Sequence, residues 1–471
     1  MSTAPTAPVS TVPPAALSGF RERFRGELLE PGIGAYEEAR TIWNGAIDRK
    51  PGLIARCRDA SDVAAAVRLA ADHDLLTSVR SGGHGVGGLA LCDHGLVIDL
   101  SAMRRIEVDP RARTVRVEAG VLLGELDRAT QAHGLAVPSG IVTHTGVAGL
   151  TLGGGIGWLM RKHGLTADHL LAAEVVLADA TRVRATREEH PDLFWALRGG
   201  GGNFGVVTSF LFRAHEIGPV VPAGPLLFPI ERAEEVMGFY RDWAHQTPDE
   251  LTTILNFRKA PPSSWVPEHL HGVPVLLLVA CWSGDPQAAD RALAPLKGLR
   301  PVLDLCTPRP FPEHQSFFDA SVPPGWHYYW KSVEIPEMSE GVVASIVRHT
   351  EEATSPRSYT VVFQLGGAVA RVGERESAYP RREAGYDVNI NGVWLPEESD
   401  RALEHTRWVR SLFREVEPNA RGVYVNFLGE EGRDRVRAAY GDEKYERLSR
   451  IKARYDPTNL FHLNQNIRPG E

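Results

Sequence analysis

Cysteine is scarce in this chain of 471 residues, and its four copies, Cys57, Cys92, Cys281 and Cys306, form no C-x-x-C pair and no metal-ligand spacing. That usage argues against a disulfide scaffold and against zinc, leaves no metal to expect, and suits a reducing cytoplasm. Long apolar runs are also missing. The longest, VPVLLLVACW at 273–282, is strand-sized and sits between HG and SGD turn signals, well short of the roughly 18 apolar residues a membrane span needs. It predicts a core strand and no membrane contact. A basic stripe is absent as well: 52 Lys+Arg stand against 59 Asp+Glu, a net charge of -7, so no nucleic-acid partner is expected. The opening MSTAPTAPVSTVPPAALS lacks the positive start and apolar stretch of a signal peptide, and residues 1–18 read as a disordered tail. The resulting expectation is a cytoplasmic location.

The chain does have enough apolar residues, 43% against 24% charged, and enough length for two cores. Its front third alternates helix and strand. SDVAAAVRLAADHD opens at a capping Ser61 and carries apolar residues at helical spacing, LLTSVRS, GLVIDLS and RTVRVEAG read as strands, and LLGELDRATQAHG is a helix stopped by Gly134. Three glycine clusters interrupt this pattern, at 81–88, 144–165 and 198–208. Glycine is costly to order, so such crowding marks close backbone approach or positive φ. From 216 to 422 glycine thins, and strand-like runs (LTTILNF, HYYWKSVEI, YTVVFQL) alternate with helical ones (SEGVVASIVRHTEEA, SDRALEHTRWVRSLFREV). The fold class expected is α+β in two domains, the second with a mostly antiparallel sheet covered by helices.

Gly83, Gly85 and Gly88 satisfy G-x-G-x-x-G after a strand, but LALCDHGLVIDLS then leads into another strand. A Rossmann site needs a helix there, so hydride transfer to a nicotinamide loses its mechanism. Nested backbone N–H groups of glycine loops bind phosphate without a helix, which keeps a diphosphate-bearing cofactor in view. His84 stands alone among these glycines; by itself it is open whether it binds a ligand or only a loop carbonyl. In RGVYVNFLGEEG, strand alternation places Tyr424 and Asn426 on one face, with Val423 and Val425 toward the core. His163, His169 and His190 have no carboxylate spacing for a metal and read as surface or capping residues.

Four blocks together, SVRSGGHGVGG with VIDLS, SGIVTHTGVAGLTLGGGIGWLMRKHGLTADHL, FWALRGGGGNFGVVTSF and YDPTNLFHLNQNI, resemble the berberine bridge enzyme-like flavin oxidases of the vanillyl-alcohol oxidase superfamily. The blocks occur in that family's order. The resemblance implies FAD as cofactor, molecular oxygen as co-substrate and a small-molecule alcohol or amine as substrate, the family's classes being sugars, alkaloids and polycyclic natural products of secondary metabolism; the alternatives are a dehydrogenase with another electron acceptor and a non-catalytic flavin-binding protein. It implies an FAD-binding domain over 19–215, a substrate domain over 216–422 and a segment over 423–471 that completes the first.

Residue by residue, the resemblance makes His84 the covalent attachment to the flavin, inside the cofactor loop Arg80, Ser81, Gly82, Gly83, Gly85, Val86 and Gly87. Val142 stands where many family members carry a second attachment cysteine, so one bond is implied. Thr145 falls near the flavin face that oxygen approaches. Gly146, Gly149, Gly153 and Gly154 are implied against the pyrophosphate and ring; Asn203, Gly205 and Val207 near the adenine side; Asn464 and Asn466 as residues that hold the ring. Tyr424 and Asn426 match a Tyr-x-Asn motif that supplies the base or substrate anchor, and Gln364 a polar position facing the flavin. Tyr328 or Tyr329, Tyr379 and Trp394 are weaker pocket candidates.

Overall fold

The computed structural model describes residues 4–383, 385–429 and 431–470. Among them the first lobe contains two larger sheets and a two-stranded one, Leu135–Ala136 with His215–Glu216. In one, β1 (Glu27–Leu29), β2 (Leu53–Arg56), β3 (Thr77–Arg80) and β4 (Leu96–Asp99) lie in the order β1-β2-β4-β3, with β2 and β3 both parallel to β4. The other holds β5 (Ile106–Asp109), β6 (Thr114–Glu118), β7 (Leu170–Val176), β8 (Arg182–Ala185) and β9 (Val206–Arg213), antiparallel in the order β5-β6-β9-β7-β8. Helix Ala60–Asp72 packs Val63, Ala66 and Val67 into the core they share. Its cap is Asp59, not Ser61: the Asp59 carboxylate accepts from the Ser61 and Asp62 N–H groups at 2.8 and 3.1 Å. Helix Leu123–Gln131 is followed by Gly134 at φ +66°, the left-handed turn that its position predicts.

The second lobe is built on β10 (Val220–Pro229), β11 (Leu251–Lys259), β12 (Pro274–Trp282), β13 (Leu303–Asp304), β14 (Thr307–Pro310), β15 (His327–Ile335), β16 (Tyr359–Gln364) and β17 (Tyr386–Trp394). The order is β13-β10-β12-β11-β16-β17-β15, with β14 also on β10, and the pairings are antiparallel. Alternation splits this sheet cleanly. Leu255, Val362, Val388 and Ile390 face helices Ala233–Ala244, Glu340–Glu351 and Ala402–Val416, while Ile254, Val361, Phe363 and Tyr328 face the first lobe.

The last segment returns to the first lobe. Helices Arg433–Tyr440 and Asp442–Tyr455 are separated by Gly441 at φ +73°, and Val436, Leu448, Phe461 and Ile467 enter its core. Buried Lys452 and Asp456 pair at 2.6 Å; the carboxylate also accepts from the Leu460 and Phe461 N–H groups, and the ammonium donates to the Asn203 and Phe461 carbonyls. The lobes are joined by Arg382 and Asp168, bonded through two N–H groups at 2.6 and 2.9 Å, and by Arg161, whose guanidinium donates to the Leu251 and Leu365 carbonyls and to the Thr247 hydroxyl.

Two expectations need correcting here. The N-terminal stretch is ordered wherever it is described: Ala7 bridges Leu75, Val9 and Val12 are buried, and Pro14–Arg23 is a helix that seats Phe20 in the core. Residues 1–3 lie outside the described residues. A few valines among small residues fill a groove of the first sheet, which composition alone does not reveal. The second correction concerns the histidines. His163 stacks on His215 at 4.0 Å between ring centroids, His215 meets His169 at 2.9 Å, and His169 meets the His163 carbonyl at 3.0 Å. They form a packed cluster, not a surface pair; only His190 serves at a helix start, before Pro191.

Candidate active site

A cavity of about 380 Å³ lies between the glycine loops of the first lobe and the sheet face of the second. The loop after β3, the stretch entering helix Val147–Leu152 and the stretch entering β9 form one wall. They approach each other as bare backbone: a Cβ on Gly82 would fall 2.5 Å from the Gly146 nitrogen. Elsewhere the glycines leave room for a guest. A Cβ on Gly85, Gly149 or Gly202 would meet no protein atom within 4 Å, because their open sides are the cavity. Among the described lining residues there is no Asp, Glu, Lys or Arg. An anionic pyrophosphate along this wall would therefore rest on amide N–H groups, as glycine-loop nests allow. The first lobe fits FAD in shape and in donor chemistry.

His84 stands at the junction of the two walls. Its ring stacks on Trp43 at 4.2 Å and lies 5.0 Å from His144, and its Nε2 is buried without a hydrogen-bond partner. Burial, helped by His144, lowers its pKa to about 3, so the imidazole is neutral with a free lone pair. Trp43 in turn stacks on Tyr328 at 3.8 Å and donates its indole N–H to the Val322 carbonyl. Nothing in the sequence around TIWNGA marks Trp43 for this place.

Tyr424 is buried, and two donors converge on its hydroxyl oxygen: the Gly155 N–H at 2.8 Å and the Asn426 amide at 2.8 Å. Burial raises the phenol to about 12, against the pull of these donors. Asn426 also donates to the Leu150 carbonyl at 3.1 Å. Tyr424 and Asn426 do reach the cavity, but the cause is not a strand: Val425–Phe427 is a short 3-10 turn, which sends Val423 into the core, leaves Val425 between core and cavity, and turns Tyr424 and Asn426 to the cavity.

The cavity wall also includes Ser81, Gly82, Gly83, Gly85 and Gly87 of the first loop; Val142, Thr145, Gly146 and Gly149 of the second; and Gly205 and Val207 of the third. Asn464 lines it as well, its Oδ1 buried and unpartnered while its amide donates to Phe461 and Gly202 carbonyls.

Other anticipated residues stand apart. Gln364 belongs to the opposite face of the sheet: its Oε1 accepts from Thr253 at 3.0 Å and Tyr240 at 3.3 Å, and its amide donates to the Ala244 carbonyl at 2.7 Å. Strand phase decides this, since Tyr359, Val361 and Phe363 take the cavity side of β16. Arg80 turns to the Ala39 carbonyl, and Val86 is buried beside Asn44, which binds its carbonyl. Gly153 and Gly154 lie under Asn426 and Tyr379 rather than on the wall, where a Cβ would collide with those side chains. Asn203 clamps the C-terminal segment, receiving the Ile467 N–H and donating to the Gln465 carbonyl. Asn466 is off the wall with its Oδ1 buried and unpartnered. Of the aromatic candidates, Tyr328 supports Trp43, Tyr329 binds Arg410, Tyr379 packs behind Tyr424, and Trp394 faces His405 on the helix side.

Sequence reasoning missed most of the second wall. Trp330, Tyr359, Val361, Phe363, Asn389 and Asn391 come from the cavity faces of β15, β16 and β17. Their only signal is period-2 phase, and phase becomes readable once one strand's orientation is known.

Two lobes enclosing a cavity with no charged side chain among its described lining residues, glycine-loop backbone on one side and side chains on the other, fit an FAD-binding oxidoreductase. Residues 51–186 match the FAD binding domain family and 423–468 the family described as berberine and berberine like. An FAD-linked oxidoreductase of Bacillus subtilis is 34% identical over 461 residues, covering 95% of this chain and 98% of the relative. The xylooligosaccharide oxidase of Thermothelomyces thermophilus is 28% identical, covering 91% and 89%. The crystal structure of 6-hydroxy-D-nicotine oxidase from Arthrobacter nicotinovorans superposes with a TM-score of 0.84 at 28% identity, covering 95% of this chain and 98% of that one. The chain belongs to the berberine bridge enzyme-like family of FAD-linked oxidoreductases.

Proposed function

We propose that this protein is an oxidase that carries FAD on a single covalent bond to His84 and oxidises an alcohol or amine carbon of a small molecule, with Tyr424 as general base. The observation that carries the reading is the state of His84: a neutral imidazole with a buried, unpartnered nitrogen, held by Trp43 at the edge of a glycine-lined cavity. A lone pair so placed is a competent nucleophile. Val142 lines the same cavity and offers no second nucleophile, which supports one attachment.

FAD, when bound, supplies a two-electron acceptor that oxygen regenerates with release of hydrogen peroxide. The chain's own residues do the rest. Ser81, Gly82, Gly146 and Gly205 offer backbone to the cofactor, and Asn464 presents an acceptor with no other partner. Tyr424 takes the proton that the substrate's hydroxyl or amine sheds. With a pKa of about 12 the phenol is mostly protonated at neutral pH, so the base is its minor phenolate form, whose negative oxygen the Gly155 and Asn426 donors stabilise, and turnover should rise with pH. Thr145, small and on the wall, supports access for oxygen.

Acid precipitation of purified protein tests the reading: yellow colour should remain in the pellet and a flavin-bearing peptide should contain His84. Colour that moves to the supernatant removes the covalent bond from the proposal. A reduced flavin that persists in air removes the oxidase.

A further inference from the structure

We propose that the sheet wall of the cavity selects an uncharged, flat ligand of aromatic character, with Asn391 as its specificity-determining residue. The inference rests on the oxidase reading for placing the cofactor along the opposite, glycine-lined wall. Its own support is the cross-strand register. Asn391 on β17 is paired with Trp330 on β15 and with Tyr359 on β16, so one amide sits between two aromatic side chains. In the next row Asn389 is paired with Ser332 and Val361. Phe427 closes the face, edge-on to Trp330 at 5.6 Å and tilted against Phe363 at 5.8 Å. Aromatic rings favour a flat ring in such a slot.

Charge is excluded by what the wall omits. Among the described residues no acid or base side chain lines the cavity, so a desolvated ammonium or carboxylate would lack a counter-ion. On the sheet side the carboxyls of Glu334 and Asp387 are cross-strand partners one row further on, and burial raises both, Asp387 to about 8; on the loop side the Asp319 carboxylate accepts from the Thr143 N–H and hydroxyl. Both shifts disfavour the negatively charged form. On the sheet side Arg258 lies behind Tyr359 with its guanidinium 5.5 Å from the ring centroid, and its N–H groups go to the Lys259 carbonyl and the Ser321 hydroxyl. It disfavours a second positive charge.

A sugar is also poorly served. Each hydroxyl carried into the cavity needs a replacement partner for water. The sheet side offers the Trp330 indole N–H, the Asn389 amide and the Tyr359 hydroxyl; the Asn391 amide already donates to the Asn389 carbonyl, and the Tyr424 oxygen already receives two donors. Asn389 does retain one opening: its Oδ1 is buried and unpartnered, which suits a single donor on the ligand.

The test uses the purified holoprotein and matched probes: 2-naphthol, 2-naphthylmethylammonium, 2-naphthoate and cellobiose. Binding is read from tryptophan quenching and from displacement of the flavin's visible band. Naphthol should bind at least about tenfold more tightly than either ion, and cellobiose should not bind. Asn391→Asp should improve ammonium binding at least about tenfold, whereas Asn391→Leu should weaken naphthol without that gain. Asn389→Asp provides the same charge on the neighbouring row if Asn391→Asp fails to fold. Equal or tighter binding of an ion or of cellobiose, or no ammonium gain in a folded Asp variant, overturns the proposal. A colourless protein would overturn the flavin reading instead, and tryptophan quenching would still decide this one.

Discussion

The two walls of the cavity are made of different materials. The first is backbone: glycines that approach one another so closely that a Cβ would collide, or that stand open where a guest must lie. The second is side chain, contributed at every other residue by three neighbouring strands. The difference teaches what each wall is for. A ligand that never changes can be met by main-chain amides, and the glycines needed for that are visible in a sequence. A ligand that differs between relatives must be met by exchangeable side chains, and these look like ordinary core.

Filling the backbone wall should have the largest effect. At Gly149, in a helix and on the cavity wall, an added Cβ meets no protein atom within 4 Å; in Gly149→Leu, flavin content, read as visible absorbance against protein absorbance, should fall to near zero while the fold survives. Retained colour would show that the open side of Gly149 is not cofactor space. Next is the junction: Tyr424→Phe should keep its flavin but lose about 10²–10⁴-fold in turnover of the true substrate, the usual range for a general base. Anaerobic reduction of the flavin by substrate measures it directly.

The scaffold under the first wall gives a smaller change. Lys452→Met leaves Asp456 buried and unpaired, which should cost about 3–5 kcal/mol in denaturant unfolding. Gln364→Leu sharpens the contrast from the other direction. On the helix face it removes the acceptor beside the Tyr240–Thr253 hydroxyl pair and one of two donors to the Ala244 carbonyl, so stability should drop by about 1–2 kcal/mol with turnover unchanged. A large loss of turnover at equal flavin content would return Gln364 to the site.

The smallest effect is expected outside both walls, at the histidine cluster. Burial holds His163 at about 3 and His169 and His215 at about 4, below the ordinary 6.5. The unfolded chain therefore binds more protons between about 6.5 and 4, and stability should decline as pH falls through that interval. Melting temperature measured at pH 7 and pH 5 should show the decline, and His215→Gln should flatten it.

How much was legible follows the same division. The glycine loops, His84 among them and the absence of a helix after Gly88 were readable because each depends on residues adjacent in sequence. Tyr424 and Asn426 were placed correctly for an incorrect local reason, since a 3-10 turn and a strand can both separate neighbouring side chains. Gln364 was misplaced because a polar residue in an apolar strand looks the same on either face. Trp43 and the ordered N-terminal valines were invisible because their partners are distant in the chain.

The bonds that Arg161 and the Arg382–Asp168 pair make between the lobes have a consequence for traffic. Parting the lobes would break the Arg382–Asp168 pair and the bonds of Arg161 together and exchange them for water, so the closed arrangement is held at several points at once. Small molecules must therefore come and go through local side-chain rearrangement at the cavity mouth, and the exchange rate should respond to the bulk of residues there more than to solvent viscosity.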